Sequence, residues 1–261
     1  MKKLHSLVYY LIYWVKSTNE HGVHSPFVFD ILNQVIYNKT PYYAYEKIEQ
    51  LRAELQNNYK TLNINDLGAG STRGNSKQKS IASIANYAAK PKKYGQLLFR
   101  LVNYFQPEII LELGTSLGIT SSYLAIANSK SKVISIEGSA EIAQQAENNF
   151  KSLDIKNINL IMGNFDEQLP ILLNQQKILD FVFFDGNHQK AATLKYFNIC
   201  LAHTTEKSVF VFDDIYWSKE MTEAWEEIKR HPKVTVTIDL FFIGLVFFRK
   251  EQAKQHFIIK F

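Results

Sequence analysis

From residue 109 to residue 248 the chain switches regularly between two hydrophobic periods. Short apolar runs stand at 109–113, 132–137, 158–162, 179–184 and 208–212. Each has the length of a strand buried on both faces and is too short for a helix of ordinary length. Between them, 119–127, 140–153, 189–201 and 219–230 space their apolar residues three and four apart, as helices with one buried stripe do. Residues 234–238 and 242–248 are two more strands, joined closely enough to form a hairpin. This alternation predicts an α/β fold: a doubly wound, Rossmann-like sheet of seven strands, with helices on both faces and an antiparallel hairpin at its end.

Upstream of residue 90 the pattern is helical with one interruption. Residues 4–15 are apolar behind Lys2 and Lys3, but they carry His5, Ser6 and three tyrosines and no small-residue cleavage motif follows them. They are therefore not read as a signal peptide, and they are too few to span a bilayer. An amphipathic helix packed on the domain or on a second subunit is expected, with attachment to a membrane surface as the alternative. His21-Gly-Val-His-Ser-Pro-Phe27 reads as a loop capping a helix over 27–37, and His21 and His24 read as hydrogen-bonded loop residues, not metal ligands. Further helices are expected over 42–58 and 81–89, and from residue 92 into the first strand. Residues 1–90 are thus a helical accessory or lid region, and 91–261 the main domain. Asp66-Leu-Gly-Ala-Gly-Ser71 imitates a cofactor loop, but the residues after it are too polar for the helix such a loop needs. It reads as a decoy or a lid.

The chemistry collects where strands end. Ile109–Leu113 is broken only by Glu112 and runs into Gly114-Thr-Ser-Leu-Gly118, where a helix starts. A strand–turn–helix of this kind aims free backbone N–H groups and a positive dipole end at a ligand, and glycine lets the main chain approach it closely. The next strand ends at Glu137, about 25 residues on, near the spacing of a ribose-binding acid. Gly138 and Ser139 turn the chain there. The later strand ends carry Gly163-Asn-Phe165, Asp185-Gly-Asn-His188 and Asp213-Asp214. The nicotinamide pattern Gly-x-Gly-x-x-Gly is not met, since Ser116 stands at its second glycine.

Glu112 with Gly114 and Gly118 resembles motif I of the class I S-adenosylmethionine (SAM)-dependent methyltransferases. The Gly95-Gln-Leu-Leu98 segment before it is similar to that of the O-methyltransferases of the catechol and caffeoyl-CoA type, and Asp185-Gly-Asn-His188 resembles the Asp-Gly-x-His signature of a further methyltransferase family. The resemblance covers about residues 90–250, and its hairpin belongs to the class I sheet. It implies SAM as cofactor, with Glu112 facing the cationic amino acid end and Gly114, Thr115, Ser116 and Gly118 lying against it. Glu137 and Gly138 would hold the ribose, Asn164 and Phe165 the adenine, and Asp185 would border the cofactor. It also implies a Mg²⁺ site of Asp185, Asp213 and Asp214, although the family has Asn where Asp214 stands. The competing reading makes His188 a general base oriented by an aspartate, so that Asp185, His188 and Asp213 are the catalytic candidates.

Composition narrows the classes. Hydrophobic residues at 46% and charged ones at 21% describe a globular chain. A net charge of +5 is mildly basic, far from that of a nucleic-acid-binding tail. Between Arg73 and Arg100 seven bases occur without an acid, as a solvated face or as an anion-attracting rim. The lone Cys200 excludes a disulfide framework and suits a cytoplasmic, reducing compartment; it reads as core. Trp225 reads as packing, and Trp217, just after the aspartate pair, as a residue that could meet substrate. No Asn-Pro-Pro-Tyr or Asp-Pro-Pro-Tyr stretch follows the fourth strand, which argues against methylation of a base amino group. The expectation is a cytoplasmic O-methyltransferase of a small molecule, without a transmembrane segment and with a homodimer as its assembly. N-methylation and a non-catalytic SAM-fold scaffold are the alternatives.

Overall fold

The computed structural model describes residues 2–64 and 78–261. The Asp66–Ser71 loop, with Arg73 and Lys77, lies outside the described residues. In chain order the elements are α1 (Lys2–Lys16), α2 (Pro26–Ile31), α3 (Tyr43–Gln56), β1 (Thr61–Asn63), β2 (Gln78–Ser80), α4 (Ile81–Tyr87), α5 (Lys92–Phe105), β3 (Ile109–Leu113), α6 (Ile119–Ala127), β4 (Lys132–Glu137), α7 (Ala140–Ser152), β5 (Ile158–Met162), α8 (Phe165–Gln175), β6 (Phe181–Phe184), α9 (Lys190–Leu201), β7 (Val209–Asp213), α10 (Lys219–Arg230), β8 (Val236–Asp239), β9 (Ile243–Phe247) and β10 (Gln255–Ile258). The chain is a mixed α/β, Rossmann-like protein with mostly parallel strands, and it divides into two compact units. One is Lys39–Leu172; the other joins Met1–Asn38 to Leu173–Phe261. The expected accessory region, residues 1–90, is thus shared between them.

In the Lys39–Leu172 unit, β3, β4 and β5 run parallel, with Leu111 opposite Ile134 and Ser135 opposite Leu160. Ile110, Leu111, Val133 and Ile134 are fully buried, as runs without polar alternation must be. A short antiparallel hairpin, β1 with β2, stands apart from these strands. It is tied to the start of α7, where the Glu141 carboxylate accepts the backbone N–H and the side-chain amide of Asn63 at 2.8 and 2.6 Å.

In the other unit the strand order is β10-β8-β9-β7-β6. β6 and β7 are parallel, and β9 lies antiparallel between β8 and β7, so the hairpin forms as expected. Gly244 on β9 has a packing reason: a Cβ there would lie 2.6 Å from the indole of Trp225, which α10 presses onto the sheet. Trp225 is 1% exposed and Cys200 is wholly buried, so both are core residues as expected.

The expected sheet of seven strands needs a correction. Among the described residues there are eight strands beside the paired β1 and β2, three in one unit and five in the other. The addition is β10, an edge strand parallel to β8 in which Gln255 and His256 are exposed and Phe257 and Ile258 half-buried. Its partner lies about twenty residues back, and Gln255 and His256 give it no apolar run to recognise. Helix α8 was also unforeseen, because Pro170 sits inside it. The helix expected over 27–37 ends as a π-helical turn over Leu32–Ile36.

Candidate active site

Two groups of expected site residues form, one in each unit. In the Lys39–Leu172 unit the group is the turn after β3. Gly114, Ser116 and Gly118 all take positive φ, at 109°, 50° and 76°. The turn is pinned from both sides. The Gly114 N–H donates to the Ile136 carbonyl at 3.0 Å, and Asn149 donates to the Leu117 carbonyl at 2.8 Å. Gly118 opens α6 in a left-handed conformation, and a Cβ there would lie 2.4 Å from the Phe150 ring. Strain and overpacking each cost about 1–3 kcal/mol at such a position, so Gly118→Ala is expected to lower the melting temperature of the protein clearly in a thermal scan.

Glu137, at the end of β4, closes the same turn. One carboxylate oxygen accepts the Ser116 N–H and the other the Ser139 N–H, both at 2.9 Å. An acid on the next strand therefore shapes the loop, and Gly138 stands between it and Ser139 in the chain.

Glu112 behaves otherwise than its position at the strand end suggested. It is wholly buried, and one oxygen accepts the hydroxyls of Ser121 and of Ser135, the latter at 2.6 Å. Ser135 in turn lies 2.5 Å from the Thr115 hydroxyl, so Glu112 is linked through β4 to the loop. Its second oxygen, Oε1, has no hydrogen-bond partner among the described residues. Burial pushes its carboxyl up to about 7, against the two serine hydroxyls, which favour the charged form; the nearby Glu137 charge adds to the rise. Asn164 caps the turn before α8, its side-chain oxygen accepting the Asp166 N–H at 2.9 Å, and Phe165 begins that helix half-buried beside it.

In the other unit the ends of β6 and β7 gather Asp185, His188 and Asp213. One ligand-type atom from each lies within 4.8 Å of the others. His188 Nε2 is 3.8 Å from Asp185 Oδ1, a charge contact wider than a hydrogen bond, with both side chains mostly shielded. Asp213 is 1% exposed, held at the end of β7 opposite Ile243 of β9. Asp214 does not belong to this group. It takes φ 52° and its carbonyl accepts the Trp217 N–H at 2.9 Å, so it turns the chain toward α10. His21 and His24 join no metal-type group among the described residues, and His21 instead pairs with Glu20 at 3.8 Å.

Residues 111–215 match a family model described as a methyltransferase domain. The match covers less than half of the chain. The fold of the chain is similar to that of methyltransferases solved with SAM or with its demethylated product. The domain is similar to an O-methyltransferase of Streptomyces achromogenes involved in tomaymycin synthesis and solved with SAM (20% identity, 85% of this chain and 95% of that one, TM-score 0.57). It is similar also to an O-methyltransferase of Bacillus cereus solved with S-adenosylhomocysteine (SAH), at 19% identity over 81% of this chain and 93% of that one, TM-score 0.56. Likeness at these identities establishes the fold. A tRNA (guanine-N(7)-)-methyltransferase of Mycoplasma mobile is 32% identical over 78 residues, which are 30% of this chain. The chain spans 39% of that relative's length.

Proposed function

We propose that this chain is a SAM-dependent O-methyltransferase that acts on a small hydroxylated molecule in the cytoplasm. The observation that carries this reading is the single methyltransferase-domain match over 111–215, which takes in both the Glu112–Glu137 turn and the Asp185–His188–Asp213 group. Bound SAM supplies a sulfonium methyl group open to displacement by an acceptor oxygen. The residues of this chain do the rest. The Glu137 carboxylate accepts the ribose hydroxyls, and the turn at Gly114–Gly118 lies against the cofactor. Asn164 and Phe165 take the adenine. The Glu112 Oε1 atom, buried and without a donor, fits a ligand ammonium, which would return that carboxyl to its charged form.

At the acceptor, the His188 imidazole takes the hydroxyl proton as the oxygen–carbon bond forms. Asp185 then faces an imidazolium and balances its charge from 3.8 Å. Asp213 adds a second buried carboxylate to the same group. A small acceptor suits the chain better than nucleic acid, since part of the basic run is not available to phosphates. Arg100 is buried and engaged with the Tyr45 hydroxyl.

The spacing within 4.8 Å favours a second reading, in which Asp185, His188 and Asp213 hold a divalent cation. Two carboxylates with one imidazole suit Mn²⁺, Fe²⁺ or Zn²⁺ better than Mg²⁺, which prefers an all-oxygen shell. Transfer from methyl-labelled SAM to a panel of catechols, phenols and small amines, with EDTA or added Mn²⁺, tests both readings. Labelled ether product that is indifferent to EDTA supports the His188 base, and loss in EDTA with recovery in Mn²⁺ supports the cation. Label entering only amine acceptors would overturn O-methylation.

A further inference from the structure

Helix α1 has two faces, and the fold covers one. On the inner face His5 Nε2 lies 3.0 Å from the Thr222 hydroxyl of α10, and Tyr9 stacks on Tyr216 with ring centres 5.3 Å apart. Tyr13 is 5% exposed; its hydroxyl donates to the Ile259 carbonyl at 2.5 Å and accepts the Phe261 N–H at 3.1 Å. The outer face is apolar from end to end. Leu4, Leu7, Val8, Leu11, Trp14 and Val15 are 45–75% exposed, with Leu7 at 56% and Leu11 at 57%. Together with Ile12 they cover about 160° of the helix circumference at the α-helical spacing of roughly 100° per residue. Scattered single apolar residues on a surface need no explanation, but a continuous face of this kind marks a docking surface.

We propose that this face docks α1 into the headgroup region of an anionic lipid bilayer, with the helix lying in the membrane plane. Charge selects that occupant. No acid occurs before Glu20, Lys2 and Lys3 stand at one end of the apolar face and Lys16 at the other, and the whole chain carries +5. Lys260 Nζ lies 5.8 Å from the Trp14 ring centre, so a tryptophan and two cations share the C-terminal end of the face. Indole and lysine at the rim of an apolar helix face are the chemistry of a membrane interface, and cations beside it favour anionic headgroups. A second copy of α1 is complementary only in its apolar part. An antiparallel pair sets Lys16 against the partner's basic start, a parallel pair sets like on like, and no carboxylate on the helix offsets either. With 15 residues α1 is about 22 Å long, and no helix among the described residues is long and apolar enough to cross a membrane. The inner-face contacts are already made, so docking requires no unpacking. The proposal stands apart from methyl transfer and does not depend on it.

The test is co-sedimentation of the full chain with vesicles of phosphatidylcholine alone or with phosphatidylglycerol, beside light scattering of the protein in solution. Wild type is expected to sediment with the anionic vesicles and to be released by salt. Leu7→Glu with Leu11→Glu is expected to weaken binding about tenfold or more, by the usual penalty for carboxylates facing lipid. Lys16→Glu with Lys260→Glu changes exposed charges only and is expected to abolish the preference for phosphatidylglycerol, which keeps the test open should the first variant fold poorly. Wild type remaining in the supernatant overturns the proposal, as does sedimentation of both variants like wild type. A wild-type dimer that the leucine variant breaks, without vesicle binding, overturns it in favour of self-association.

Discussion

Replacing His188 by Ala is expected to lower methyl transfer by about 10²–10⁴-fold, the range for loss of a positioned general base, while SAM binding changes little. The expectation rests on the place of the imidazole at the end of β6, 3.8 Å from Asp185 and within 4.8 Å of Asp213. An acceptor hydroxyl is a poor nucleophile until its proton has somewhere to go, and His188 is the one imidazole of that group among the described residues. Asp185→Asn is expected to act in the same direction and less strongly, because the imidazole remains but loses the charge that balances it. Steady-state kinetics on an acceptor that wild type methylates provide the check. The loss should fall on kcat, with the KM for SAM near that of wild type. A fall in SAM affinity with unchanged kcat would instead make His188 a cofactor contact.

The second large effect is expected at Glu112. Its carboxyl is raised from 4.5 to about 7 in the folded protein, first by burial. A folded state that holds a proton longer than the unfolded state loses stability as pH rises. Below about pH 4.5 both states are protonated and the cost is absent. It accumulates as the unfolded chain ionises, and it levels off above about pH 7 at roughly 3 kcal/mol. Glu112→Gln cannot ionise, yet its amide oxygen still accepts from Ser121 and Ser135. The variant should match wild type near pH 4.5 and exceed it near pH 8, by several degrees in melting temperature for a chain of this size. Thermal scans of both proteins across that range measure the difference, in which the other titrating groups cancel. Equal slopes would show that Glu112 is already charged, balanced by a donor other than its two serines.

Much of the fold is legible because the chain obeys two periods cleanly. Strands β3, β4 and β5 lie where the apolar runs of 109–113, 132–137 and 158–162 predict them. What escapes the pattern depends on distant partners. The edge strand β10 is defined by its pairing with β8 and not by its own polar residues, and α8 carries a proline that reads as a breaker. At the site, the glycines, Glu137 and the Asp185–His188 pair are legible from spacing. The burial of Glu112 is not, because its partners Ser121 and Ser135 lie nine and 23 residues away on other elements. The separation of Asp213 from Asp214 is likewise hidden in sequence, since it follows from the left-handed turn that Asp214 adopts. Arg100 shows the same limit: in the sequence it is one of a run of cations, and in the fold it is a buried partner of Tyr45.

The most direct test of the central claim is isothermal titration of SAM and SAH into wild type, Glu137→Gln and Glu137→Ala. Both ligands are expected to bind wild type with micromolar affinity. Hydrogen bonds to a charged group contribute about 1.5–3 kcal/mol each, so binding should weaken by about 10–100-fold or more in the variants. Ala should be the worse of the two, since it also frees the N–H groups of Ser116 and Ser139. Wild type that binds neither ligand, or variants that bind both as wild type does, would contradict the account.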